Sequence, residues 1–290
     1  MNPAIFVHVP KTAGSTLRTL ITTNYAPHEV LSLYGDDKKL LMESAAHIGK
    51  LTPYRLIQGH VPYGVHRLLG LRSARYFTFL RDPISRFLSD IAMGTRDPEH
   101  GYHHILAAPQ VSRDDRIRNA LAITYYNNNM AHFLSGSFCT ELISMPLLNE
   151  AIDNLWNCEF VGLAEDFDAS LLIMAKKLGW RRIVPQKSNV RPDQETPLSP
   201  ETRDLLGREL AYDCALYAVA QEHLAQSKKQ HGPLLLEAAA QLAELIRAQD
   251  TEHPQVQHSM YLVGQAIDVP LEKYNARITL GSPLARWLDT

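Results

Sequence analysis

Cysteine is scarce. The three residues present, Cys139, Cys158 and Cys214, are odd in number, widely spaced and without a Cys-x-x-Cys pair, which removes a disulfide framework and a thiolate zinc site from consideration and fits a reducing compartment. No stretch reaches the roughly 18 consecutive apolar residues of a membrane-crossing helix. The opening Met-Asn-Pro-Ala-Ile-Phe-Val-His-Val-Pro lacks the basic region and long apolar core of a secretory signal. The expectation is a cytoplasmic protein with no transmembrane segment. Charge of one sign is missing as well: 29 Lys and Arg face 31 Asp and Glu, for a net charge of -2. That excludes a general nucleic-acid surface, so no nucleic-acid partner is expected and any anion site must be local. Repeats and low-complexity segments are also absent. What remains, 290 residues with 45% hydrophobic and 21% charged, is a globular balance sized for one large or two small domains.

Element order then gives the organisation. Ala4 to Val9 is a short apolar run ending at Pro10, read as a buried strand, and a helix is expected from Ser15 to Thr23. Arg55 to Gln58, Tyr76 to Leu80 and Glu159 to Leu163 read as further strands, the second of them leading into a helix around Ile84 to Met93. With helical spacing at Leu171, Leu172, Ala175 and Leu178, and over a long stretch from Arg116 to Leu134, the alternation predicts an α/β fold. The sheet should be open, parallel and P-loop-like, flanked by helices. Four prolines between Arg181 and Pro200 predict a long loop. Leu206, Leu210, Cys214 and Tyr217 share a helical face, and after Gly232-Pro233 a second amphipathic helix is expected from about Leu234 to Ile246. The expected division is a main domain over 1–230 and a mainly helical C-terminal extension over 231–290, serving as an added layer or a homo-oligomer contact.

Two segments carry chemistry. Pro10-Lys11-Thr12-Ala13-Gly14-Ser15-Thr16-Leu17 lies between a strand and a helix, where parallel-sheet proteins place ligands. Gly14 and Ala13 let backbone N–H groups approach an anion, Thr12, Ser15 and Thr16 add hydroxyls, and Lys11 adds a full charge. This is a phosphate or sulfate cradle. It is not a Walker A loop, because Lys11 precedes Gly14. The plainer reading is a βα turn with a serine cap. Phe79-Leu80-Arg81-Asp82-Pro83-Ile84-Ser85-Arg86-Phe87-Leu88-Ser89 is again strand, loop and helix, with Pro83 suited to the first turn. Arg81 and Ser89 are positioned to converge on one anion, with the guanidinium giving bidentate contacts; the plainer reading here has Asp82 capping the helix and pairing with an arginine.

Taken together, Phe6 to Leu17 and Phe79 to Ser89 resemble the 5′-phosphosulfate loop and the 3′-phosphate motif of the sulfotransferases that use 3′-phosphoadenosine 5′-phosphosulfate (PAPS), in the branch of the heparan sulfate 2-O- and 6-O-sulfotransferases and bacterial relatives. Asn129 to Gly136, Phe160 to Phe167 and Ser188-Asn189-Val190 add to the likeness, which covers about residues 4 to 225. Family members commonly carry Gly-Gly-Thr where this chain has Ala13-Gly14-Ser15, and an arginine where it has His132. The resemblance implies a PAPS-dependent O-sulfotransferase acting on a hydroxyl of a carbohydrate, glycolipid or small molecule. Cofactor contacts would come from Lys11, Thr12, Ala13, Gly14, Ser15, Thr16, Arg81, Ser89, Ser188 and Asn189.

In Gln58-Gly59-His60 the resemblance places the catalytic histidine at His60, where an imidazole accepts the acceptor's proton at neutral pH. Lys11 would stabilise the leaving oxygen. His8 is the rival, read as a core residue. The pairs His103 and His104, and His253 and His258, lack accompanying metal-ligand spacing, so no metal is expected. Two other classes stay open: an ATP-dependent small-molecule kinase, with Asp82 the one candidate carboxylate, and a non-catalytic nucleotide- or glycan-binding module.

Overall fold

The computed structural model describes residues 2–35, 54–108, 110–137, 142–180, 183, 198–252 and 282–289. Ser188, Asn189 and most of the proline-rich loop lie outside these. Five strands form one wholly parallel sheet: β1 (Ala4–Val7), β2 (Val30–Leu33), β3 (Leu56–Gly59), β4 (Arg75–Leu80) and β5 (Phe160–Leu163), in the spatial order β2-β3-β1-β4-β5. The expected α/β fold is thus observed. β1, β3 and β5 are buried at every position and β4 at all but its first, the signature of strands covered on both faces, which is why they read as continuous apolar runs.

The helices are α1 (Gly14–Asn24), α2 (Val65–Leu68), α3 (Pro83–Arg96), α4 (His103–Leu106), α5 (Arg113–Leu121), α6 (Asn129–Ser135), α7 (Met145–Asn157), α8 (Phe167–Leu178), α9 (Pro200–Glu209), α10 (Ala211–His231), α11 (Pro233–Glu252) and α12 (Pro283–Asp289). The long helical stretch expected from Arg116 to Leu134 is two helices with a break. Asn128 adopts a left-handed conformation (φ 47°), which ends the helical path. The second piece is capped from a distance: Asp213 on α10, fully buried, accepts the N–H groups of Met130 and Ala131 at 3.3 and 2.8 Å, while Asn128 Oδ1 accepts the N–H of Asp213 at 2.8 Å. Leu206, Leu210, Cys214 and Tyr217 do not share one continuous helix either, because α9 stops at Glu209 and α10 starts at Ala211.

One apolar core holds both sheet faces together, from Ile5, Phe77 and Phe160 out to Leu172 and Leu216, and a smaller cluster of Phe87, Ile91, Leu106, Ile117, Tyr126 and Leu206 sits beneath α3. The C-terminal helices join the larger one. Leu235, Ala238, Leu242, Leu284 and Trp287 are buried in it, and the Trp287 indole donates to the Leu172 carbonyl at 3.2 Å. Among the described residues no helix is long and apolar enough to cross a membrane.

The topology has a consequence for binding. From β1 the chain leaves towards the β3 side to make β2, whereas from β4 it continues away to β5, so a crevice opens between the carboxyl ends of β1 and β4.

Candidate active site

That crevice is where the two segments expected to bind anions meet. The loop from His8 to Ala13 follows β1 and feeds α1, whose first turn carries no acidic residue, leaving the partial positive charge of the helix N-terminus uncompensated. Lys11 and Ala13 both take left-handed backbone conformations (φ 68° and 72°), sparsely populated for residues with a Cβ and therefore a mark of a loop shaped for something other than stability. The Thr12 hydroxyl donates to the Val9 carbonyl at 2.8 Å and the residue is fully buried, so it braces the turn from inside. Ser15 is exposed, Thr16 buried and Lys11 half-buried.

Arg81 closes the crevice from the β4 side. Its Nη1 donates to the Lys11 carbonyl at 3.4 Å, and the Lys11 ammonium reaches the sulfur of Met93 on α3 at 3.5 Å. The two loops are therefore in contact, as the order of elements alone did not require. Asp82 caps α3 by accepting the Ser85 N–H at 2.8 Å, which is the capping half of its plainer reading. Its own N–H donates to Glu165 at 2.9 Å, and the other oxygen of Glu165 accepts the Tyr217 hydroxyl at 2.7 Å. Glu165 thereby ties the Arg81 loop to the end of β5 and to α10. Ser89 is half-buried, two turns into α3. Arg86 does something different from its neighbours: fully buried, it pairs with the equally buried Asp90 at 3.1 Å and donates to the Tyr126 carbonyl at 3.1 Å. It anchors α3 to the smaller core.

His60 enters from the third strand. A Cβ at Gly59 would lie 2.2 Å from the Leu33 carbonyl oxygen, so only glycine lets β3 run this close to β2, and the His60 N–H then donates to that same carbonyl at 3.2 Å. The half-buried ring is oriented by its Nδ1–H, which donates to the His8 carbonyl at 2.8 Å. Because a carbonyl only accepts, the proton of the neutral ring sits on Nδ1 and the lone pair on Nε2.

His8 is buried, as expected of a core residue, but its surroundings belong to the site. Its ring centroid is 4.5 Å from that of His60, and its Nδ1 shares a hydrogen bond of 2.9 Å with the Tyr34 hydroxyl. It also presses on Gly14, where a Cβ would fall 1.6 Å from Nε2. Burial pushes the His8 imidazole well below the ordinary histidine range, and the charges of His60, Arg18 and Lys11 push the same way. Tyr34 is also held neutral, its phenol raised by burial, with the Arg18 guanidinium 4.5 Å above the ring. Tyr34, Arg18 and Met93 carried no motif that sequence reasoning singled out. Glu165 did stand in a quoted segment, though with no role. Among the described residues no group of three or more His, Cys, Asp or Glu is placed to hold a metal ion.

No family model matches the chain, and no curated protein matches it. Among solved structures it is similar to mouse sulfotransferase SULT7A1 complexed with PAP, at 12% identity and a TM-score of 0.36. The match covers 72% of this chain and 63% of that one.

Proposed function

We propose that this protein is a sulfotransferase that moves a sulfuryl group from PAPS to a hydroxyl of a carbohydrate or other alcohol. The observation that carries the reading is the contact of the two strand-to-helix loops, Arg81 Nη1 on the Lys11 carbonyl, with His60, just past the end of the neighbouring strand β3, bonded to the His8 carbonyl. A doubly anionic nucleotide fits that donor set: one cationic cradle at the N-terminus of α1 and a second cation on the adjoining loop.

PAPS, when bound, supplies a sulfuryl group already activated on its 5′-phosphate. The backbone N–H groups of Thr12 to Thr16 and the hydroxyls of Ser15 and Thr16 would hold the 5′-phosphate, with the Thr12 hydroxyl bracing the turn from inside, while Arg81 and Ser89 would hold the 3′-phosphate. The Lys11 ammonium stabilises charge that grows on the leaving oxygen, an electrostatic contribution largest in the transition state. His60 accepts the acceptor hydroxyl's proton on Nε2, the nitrogen that its bond to the His8 carbonyl leaves basic. As the acceptor oxygen bonds to sulfur, the bond from sulfur to the 5′-phosphate oxygen breaks, and the proton stays on His60.

Transfer of labelled sulfate from PAPS across carbohydrate, glycolipid and small-alcohol acceptors tests the reading, beside thermal-shift titrations with PAPS, adenosine 3′,5′-bisphosphate and ATP with and without Mg²⁺. Stabilisation by the two 3′-phosphorylated nucleotides is expected, independent of Mg²⁺. A response to ATP that requires Mg²⁺ would favour a kinase, and tight nucleotide binding with no transfer to any acceptor would favour a binding module.

A further inference from the structure

The His8 side chain is unexplained by the mechanism above, which uses only its carbonyl. Four contacts surround it: Gly14 of the cradle, the His60 ring, the Tyr34 hydroxyl at Nδ1, and the stacked Phe6 ring of β1 5.7 Å away. A solvent-shielded imidazole with this many neighbours has little freedom to move, and close-packed interiors transmit small displacements. The close fit at Gly14 is the informative part. A Cβ there would overlap the ring, so the backbone of the cradle rests directly on a side chain whose ring also meets that of the base. Packing of an ordinary core residue would not require both partners to belong to the site.

We infer that His8 is a positioning residue, a flat spacer that sets the His60 imidazole relative to the anion cradle at Gly14. The inference deepens the sulfotransferase reading and rests on it for its catalytic meaning. Misplacing a base by about 1 Å costs on the order of 10²-fold in rate, so the spacer acts on turnover more than on donor affinity.

The test is a double-mutant cycle on Gly14→Ala and His8→Ala, read by the ¹H–¹⁵N signals of the His60 ring in the ligand-free protein and by single-turnover transfer. Gly14→Ala should shift the His60 signals, and the double variant should return them towards those of His8→Ala alone. His8→Ala should lose about 10- to 100-fold in turnover while the affinity for adenosine 3′,5′-bisphosphate stays within about threefold. His8→Phe keeps a flat ring on Gly14 and should recover most of that turnover with the pH–rate profile unchanged, and it replaces the cycle as the test should Gly14→Ala not fold. Additive shifts in the cycle would overturn the spacer whatever the activity. So would a His8→Phe as impaired as His8→Ala, or an acid-side limb lost from the pH–rate profile in both His8 variants, which would make His8 itself the base. Wild-type protein that transfers no sulfate, while its His60 signals still respond through His8, would count against the sulfotransferase reading and leave the spacer standing.

Discussion

At Ala13 the chain accepts a left-handed backbone (φ 72°) without glycine. That conformation costs an L-residue about 1–2 kcal/mol, part of which a glycine returns as unfolded-state entropy. Ala13→Gly should therefore stabilise the protein by roughly 0.5–1 kcal/mol, seen as a small rise in melting temperature; a fall would mean that the methyl group's packing outweighs the strain. Lys11 acts at a different point. In the proposed transfer its charge would meet one that develops only in the transition state, so Lys11→Ala should lower turnover far more than it weakens adenosine 3′,5′-bisphosphate binding. Steady-state and binding measurements on the same variant decide this, and wild-type turnover would exclude Lys11 from the chemistry. His60→Ala should lose about 10²- to 10⁴-fold in rate with donor affinity nearly intact.

Helices and strands show which of these features a sequence displays. α6 depends on Asp213, a carboxylate whose protonation is favoured by burial yet which the Arg86 charge and the two backbone N–H bonds pull back. Asp213→Ala strands two buried N–H groups and should cost about 2–6 kcal/mol at about 1–3 kcal/mol for each; chemical denaturation would measure it, and a loss under 1 kcal/mol would show that α6 does not need this cap. No window of sequence contains that relation, because the cap and its helix lie more than 80 positions apart. The buried strands β1, β3, β4 and β5 were legible as short apolar runs. β2 was not, although three of the four residues in Val30-Leu31-Ser32-Leu33 are apolar: it is a short edge strand with only Leu33 buried. α7 was missed although Leu148, Ala151 and Leu155 recur at helical spacing, and the Asn127-Asn128-Asn129 run marked the break before α6 that periodicity overlooked. The cradle and the Arg81 loop could be read because each follows a strand. The fit of His8 against Gly14 could not, since it consists of a missing Cβ. Glu165 belongs to this scale too: through one exposed hydrogen bond it steadies the Arg81 loop, and Glu165→Ala should weaken the preference for a 3′-phosphate only severalfold, in keeping with about 0.5–1.5 kcal/mol.

At the scale of the whole molecule, four histidines among the described residues, His8, His66, His223 and His231, are held below the ordinary value of 6.5, each chiefly by burial. Below pH 6.5 the unfolded chain binds protons at these positions that the native state does not, so stability should fall as pH drops from about 7 towards the lowered native values. The raised carboxyls of Asp168 and Asp213 act in the opposite sense, above an ordinary value of 3.8. A melting temperature that rises on acidification from pH 7 to 6 would contradict the assignment, and His8→Phe should flatten the dependence. Removing residues 232–290 strips Leu235, Leu242, Leu284 and Trp287 from the main core. At about 1.5–3 kcal/mol for each large buried side chain, that loss rivals a typical net stability of about 5–15 kcal/mol. The truncated chain is expected not to fold cooperatively, and a wild-type melting temperature would show the C-terminal helices to be dispensable. The central claim is that the loops after β1 and β4 form one site for a nucleotide phosphorylated at both ends, and calorimetric titration of wild type and Arg81→Ala with adenosine 3′,5′-bisphosphate and adenosine 5′-phosphate tests it most directly. A charge-assisted contact of about 1.5–3 kcal/mol predicts that the wild type prefers the 3′-phosphorylated nucleotide by roughly 10- to 100-fold and that Arg81→Ala loses most of that preference; equal affinity of the wild type for the two nucleotides would contradict it.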